Sequence, residues 1–144
     1  MQAKLLHKQQ GEKTFVLIFD TGDEVVSGLL DFARNHHLDS SHFTALGACS
    51  DVVVGYFDWE KKEYTRMPLP EQVEVLALVG DIALDQGEPK VHAHIVVGKA
   101  DGTAHGGHLL EAHVRPTLEV VLVESPQHLQ RQSDPESGLA LIRL

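Results

Sequence analysis

His92 and His94 stand one residue apart inside Val91-His92-Ala93-His94-Ile95-Val96-Val97, and a third histidine, His108, follows a glycine pair in Thr103-Ala104-His105-Gly106-Gly107-His108-Leu109-Leu110-Glu111. The β-branched content of the first segment favours a strand, and a strand sets residues i and i+2 side by side on one face. The two imidazoles therefore look the same way. A third ring, delivered by a turn at the glycine pair, completes the three-nitrogen set that zinc accepts while keeping one position open for water or a ligand. Imidazole also suits copper, nickel and iron, so the pattern points to a divalent metal with zinc as first choice. The competing reading is a solvated polar strand face, made easier by the ten histidines in this chain. Against it, the segment around the pair is apolar, and imidazoles buried there unpaired would be costly.

Several neighbours could share the chemistry. Glu111 and His113 offer a general base or a hydrogen-bond partner for a metal-bound water, with Glu111 the one weak catalytic candidate. Its competing role is a backbone hydrogen bond at the start of an element. His105 could substitute for one of the three ligands, but its place before the glycines puts it at the rim. Gly106-Gly107 reads as positive-φ backbone in a tight turn; a phosphate cradle is the weaker alternative, because no helix-plus-lysine signature follows. Cys49, in Ala45-Leu46-Gly47-Ala48-Cys49-Ser50, is the only cysteine. Nothing adjacent in sequence lowers its pKa, so it reads as a small packed side chain.

Composition narrows the function classes. A chain of 144 residues fits one domain spanning 1–144 with one core. The formal net charge of −9 opposes direct attraction to a polyanion, Lys61-Lys62 is the only adjacent basic pair, and no Arg-Gly-Arg-Pro minor-groove arm is present. A lone cysteine excludes an internal disulfide framework, and the first residues lack the apolar core of a signal peptide, so the expected compartment is cytoplasmic. No stretch reaches the roughly 20 apolar residues that cross a bilayer, so no membrane partner is expected.

The elements that must position the histidines are mostly strands. Thr14–Phe19, after the turn-prone Gln9-Gln10-Gly11-Glu12, predicts an opening hairpin. Thr21-Gly22-Asp23-Glu24 has the form of a capping box, and Val25, Val26, Leu29, Leu30 and Ala33 recur at helical spacing up to Asn35-His36-His37, where two imidazoles suit the helix dipole. His42–Ser50 and Asp51–Phe57 read as two strands meeting at a small-residue bend or bulge, where Gly47 and Ser50 relax the backbone. Asp58–Lys62 is a hairpin tip and Glu63–Met67 its return; Tyr56, Phe57, Trp59 and Tyr64 pack across that hairpin in preference to stacking bases. Val73–Leu84 is a long strand with a bulge expected at Gly80, followed by the histidine strand, a turn at Lys99–Gly102, a strand at Leu118–Val123, and a last edge within Leu139–Leu144 after a polar stretch from Ser125 to Gly138. The pattern predicts an α+β fold, an antiparallel sheet with one main helix.

The order of these segments resembles the plant-and-prokaryote conserved (PPC) domain, which plant AT-hook proteins share with stand-alone prokaryotic proteins. The resemblance is carried by Gly22-Asp23-Glu24, Ala45–Ser50, Gly55-Tyr56-Phe57-Asp58 with Glu63-Tyr64, Val75–Ile82, Val91–His94 and Gly106–Glu111, and runs almost end to end. It implies a compact antiparallel sheet with a helix, assembly as a homotrimer, and a metal held at His92, His94 and His108. It also brings a family label of DNA binding that belongs to the plant relatives with their AT-hook. The resulting expectation is a metal-binding or regulatory module with a small-molecule ligand at the site. The rival is a zinc-dependent enzyme acting on a small molecule, with Glu111 moving the proton.

Overall fold

The computed structural model describes residues 1–144. The chain runs β1 (Gln2–Gln9), β2 (Glu12–Asp20), α1 (Val25–His36), β3 (Ser40–Asp58), β4 (Glu63–Leu69), β5 (Val73–Asp85), β6 (Glu88–Gly98), β7 (Ala104–Glu124), β8 (Gln130–Ser133) and β9 (Ala140–Arg143). All nine strands join one sheet in the order β1-β2-β7-β3-β5-β8-β9, with β4 on β3 and β6 paired to both β5 and β7. Pairing is antiparallel except between β5 and β8. Strand β7 bonds β3 along most of its length and β6 at its N-terminal end, while β3, β5 and β6 pair in turn, so the ladder closes a circuit. An antiparallel sheet with a single helix is what the sequence predicts, with strand as the dominant element. No helix is long and apolar enough to cross a membrane.

Alternation decides which face is core. Phe15, Leu17 and Phe19 of β2, Phe43 and Ala45 of β3, Ala93, Ile95 and Val97 of β6, and Leu118, Val120 and Leu122 of β7 all point inward, joining a cluster of 26 buried residues. Burying one such large side chain is worth about 1.5–3 kcal/mol, which locks the register, because a one-residue slip would turn the set outward. With Ala93 and Ile95 inside, His92 and His94 must face out. Helix α1 adds Val25, Leu29, Phe32 and Ala33 to the core, packing against β6 and β7.

The helix begins differently from the capping-box expectation. Its N-cap is Glu24, whose carboxylate accepts from the backbone N–H groups of Val26 at 3.1 Å and Ser27 at 2.7 Å. The same carboxylate accepts from Ala112 N–H at 3.3 Å, tying the helix start to β7. Thr21 is left to donate to the Pro116 carbonyl at 3.2 Å. At the other end His37 takes the left-handed conformation, φ 52°, that closes the helix, and His36 lies against Phe32 with centroids 4.2 Å apart.

Other boundaries also move. The two strands expected between His42 and Phe57 are one continuous strand, β3, and the bulge alternative expected at Gly47 and Ser50 is met by register shifts between Gly47 and Cys49 and between Cys49 and Asp51. Gly47 is required by contact: a Cβ there would lie 2.3 Å from the Thr117 carbonyl oxygen. Gly80 carries no bulge; the shift in β5 falls between Val75 and Ala77. Gly106 and Gly107 form no turn and have no positive φ, because both lie inside β7. The polar stretch after Ser125 contains a strand, β8, that its composition did not reveal, and β9 pairs with it as the expected last edge.

Candidate metal centre

Cross-strand register brings the three histidines together. His94 on β6 is the direct partner of His108 on β7, and His92 lies opposite Asp81 on β5. Ring centroids are 5.2 Å apart for His92 and His94, 5.2 Å for His92 and His108, and 5.5 Å for His94 and His108. One ring nitrogen from each lies within 4.8 Å of the others. Zinc bonds imidazole nitrogen at about 2.0–2.1 Å, so side-chain adjustments of roughly an ångström bring the three onto one ion. The chemistry of the donors fits as well. Burial, with the charges of His92 and His94 adding to it, pushes the His108 pKa down to about 4. Burial and the charge of His92 lower that of His94. Both rings are therefore held in the neutral form that ligates metal. His108 Nδ1 is buried and makes no hydrogen bond, a cost that a bound cation would offset at a nitrogen lone pair.

Asp81 is the residue that sequence reasoning missed. Its carboxylate lies 3.7 Å from His92 Nδ1 and also pairs with Arg131 of β8, whose guanidinium is almost fully buried. Burial disfavours the Asp81 carboxylate, but the neighbouring His92 ring and the Arg131 charge outweigh it and hold its pKa below the usual range. A carboxylate on one nitrogen of a ligating imidazole fixes the ring's orientation and tautomer and leaves the other nitrogen for the metal. The signal for this partner was weak, since Asp81 is recognised only once the β5–β6 register places it opposite His92. Tyr64 of β4 covers His108, with centroids 4.6 Å apart and an interplanar angle of 31°.

The remaining candidates fall elsewhere. Glu111 pairs with Arg66 at 3.3 Å, so its partner is a guanidinium on β4. His113 bonds Asp51 at 2.8 Å, a carboxylate that also accepts from Ser50 Oγ at 2.8 Å. His105 is exposed and pairs in register with Val97, three positions along β7 from His108 and on the other side of the strand. Gly106 and Gly107 serve close approach: a Cβ would lie 2.8 Å from the Ile95 oxygen at the first and 2.7 Å from the Gly55 oxygen at the second. Burial, helped by the charge of Asp51, pushes the Cys49 thiol up to about 12, as a packed and unreactive side chain requires. Phe57 and Tyr64 meet edge to face across the hairpin at 5.3 Å, which is packing, while Tyr56 and Trp59 stay exposed.

A circuit of antiparallel strands with one helix, carrying three histidines on its outer face, defines a small β-rich domain with a donor cluster fit for a metal. The chain belongs to the Plants and Prokaryotes Conserved (PCC) domain family, whose model matches residues 6–126. A plant- and prokaryote-conserved protein of Pyrococcus horikoshii superposes with a TM-score of 0.86 at 30% identity, covering 99% of this chain and 95% of its own. A metal-containing protein of Archaeoglobus fulgidus gives 0.85 at 35% identity, covering 92% and 94%. A Ralstonia eutropha JMP134 protein provisionally named as DNA-binding gives 0.85 at 30%, covering 90% of each chain. The bifunctional protein GlmU of Synechococcus sp. (strain JA-3-3Ab) is 32% identical over 120 residues, 81% of this chain but 18% of that relative's length.

Proposed function

We propose that this protein is a homotrimeric binding or regulatory module that holds one divalent metal ion, zinc by preference, at His92, His94 and His108. The observation that carries the reading is the convergence of three ring nitrogens within 4.8 Å, joined by a buried His108 Nδ1 that has no hydrogen-bond partner. Three neutral imidazoles leave a coordination position open, where the ion supplies Lewis acidity. The protein's part is to aim the rings: Asp81 orients His92, Tyr64 shields His108, and the β6–β7 register fixes His94 against His108. The similarity to a metal-containing archaeal protein supports the same reading. Glu111, occupied by Arg66, gives no support to a proton-transfer role, so binding ranks above catalysis. Net charge −9 keeps direct DNA contact below metal binding, despite the names of two structural neighbours.

Metal analysis of the purified protein beside a His92→Ala, His94→Ala double variant tests the site. The wild type is expected to carry about one zinc per chain and the double variant to lose it. Equal trace amounts in both would end the three-histidine reading.

A further inference from the structure

A hollow of about 170 Å³ opens beside His92 and His108, walled by Tyr64, Lys90, Val91, Arg131 and residues 139–141. Its polar side is cationic. The Arg131 side chain is only 5% exposed. One guanidinium nitrogen donates to the Ala140 carbonyl at 3.0 Å and another pairs with Asp81, yet its Nε makes no hydrogen bond. A buried donor without a partner is costly and calls for an acceptor. Lys90 is bonded to Asp85 at 2.8 Å but remains half exposed at the hollow's mouth. Val91, Leu139, Ala140 and Leu141 add apolar surface to the same lining.

Charge balance selects the ligand. Arg131 offsets Asp81 and Lys90 offsets Asp85, while the three imidazoles are neutral donors, so a divalent cation here has its full charge uncompensated. We propose that the hollow takes a small aliphatic carboxylate, seated beside the cation between the Lys90–Arg131 wall and the apolar segment at 139–141. This inference rests on the metal reading above. At about 170 Å³ the space lies below the roughly 300–1,000 Å³ of drug-sized ligand sites, so it suits a small ligand. Inorganic phosphate shares the charge but has no alkyl group for the apolar wall, so the carboxylate is the better match.

The test uses the full chain loaded with cobalt(II), whose absorption reports on its ligands. Propionate, propionamide and inorganic phosphate are titrated in turn into wild type and Lys90→Gln. Propionate is expected to shift the cobalt spectrum saturably and at least about tenfold more tightly than the uncharged amide, with phosphate weaker than propionate. Lys90→Gln is expected to weaken propionate at least about threefold while cobalt stoichiometry stays unchanged. If cobalt binds but propionate and propionamide behave alike, if phosphate binds more tightly, or if Lys90→Gln leaves propionate affinity unaltered, the carboxylate proposal is overturned and the metal site stands. If no cobalt is taken up, the metal reading itself fails and this one falls with it.

Discussion

Asp81 shows how much of a ligand set lies outside the ligands. Two rings on one strand face share a direction, but each can still rotate and present either nitrogen. A carboxylate 3.7 Å from His92 Nδ1 biases the ring electrostatically toward presenting an N–H on that side, and Arg131 holds the carboxylate in place. Replacing Asp81 by Asn retains size but loses the negative charge, so metal affinity is expected to fall about 10- to 100-fold with stoichiometry unchanged. Competition against a chromophoric chelator gives the Kd, taken under conditions where circular dichroism shows the variant folded, since an uncompensated Arg131 also lowers stability. An unaltered Kd would remove Asp81 from the site. His92 and His94 were legible because a period of two needs only local sequence, whereas His108 was placed by a glycine turn that does not form and by the family resemblance; Asp81 was not legible, because its partnership exists only through β5–β6 pairing.

Elements explain the misread boundaries by the same logic of local against long-range cause. Gly106-Gly107 looks like a turn because glycine signals both positive φ and close approach; only the neighbouring strand tells which. In β7 the answer is approach, since a Cβ on Gly107 would meet the Gly55 oxygen at 2.7 Å. Gly107→Ala is therefore expected to cost about 1–3 kcal/mol, read as a lower denaturant midpoint at unchanged m-value; a midpoint equal to wild type would return the pair to a turn role. Strand β8 escaped because Gln130-Arg131-Gln132-Ser133 has no apolar alternation, its inward group being a paired guanidinium. One further link joins β3 to β7: Asp51 bonds His113, which raises the histidine's pKa and lowers the carboxylate's. The histidine's share of stability is complete below its unfolded pKa, about 6.5, and is lost as pH rises through the higher folded value. The carboxylate's share is complete above about 3.9 and is lost as pH falls through the lower folded value. Wild type should thus exceed His113→Gln most between about pH 4 and 6.5, by no more than about 1 kcal/mol for so exposed a pair. Parallel stability curves across pH 4–9 would show that the bond contributes nothing.

At the scale of the molecule, the face that bears the histidines also bears the apolar surface left over from the core. A single cross-strand row runs Val121, Thr44, Val79, His94, His108 through β7, β3, β5, β6 and back to β7. Within it Val79 is 51% exposed and Val121 46% exposed; Leu46, Leu76 and Val96 are also exposed. Apolar side chains on a flat sheet face gain by being covered, and aggregation is avoided when the cover is a closed ring of copies of the same chain. A trimer of the kind proposed above would cover this surface and so seat the metal beside a subunit contact. The wild type is accordingly expected to sediment at about three times the chain mass of 15.8 kDa. A Val79→Lys, Val121→Lys double variant is expected to sediment as a monomer, because six ammonium groups would have to be buried in one trimer. Both side chains point away from the core, so the variant's far-ultraviolet circular dichroism should match wild type. A wild type that sediments at the mass of one chain at micromolar concentration would rule out the trimer, and a double variant that stays trimeric would move the contact to another face. If metal occupancy falls together with assembly while Asp81 and the three rings are intact, the site is completed by the subunit contact; if it persists in the monomer, β5, β6 and β7 of one chain suffice.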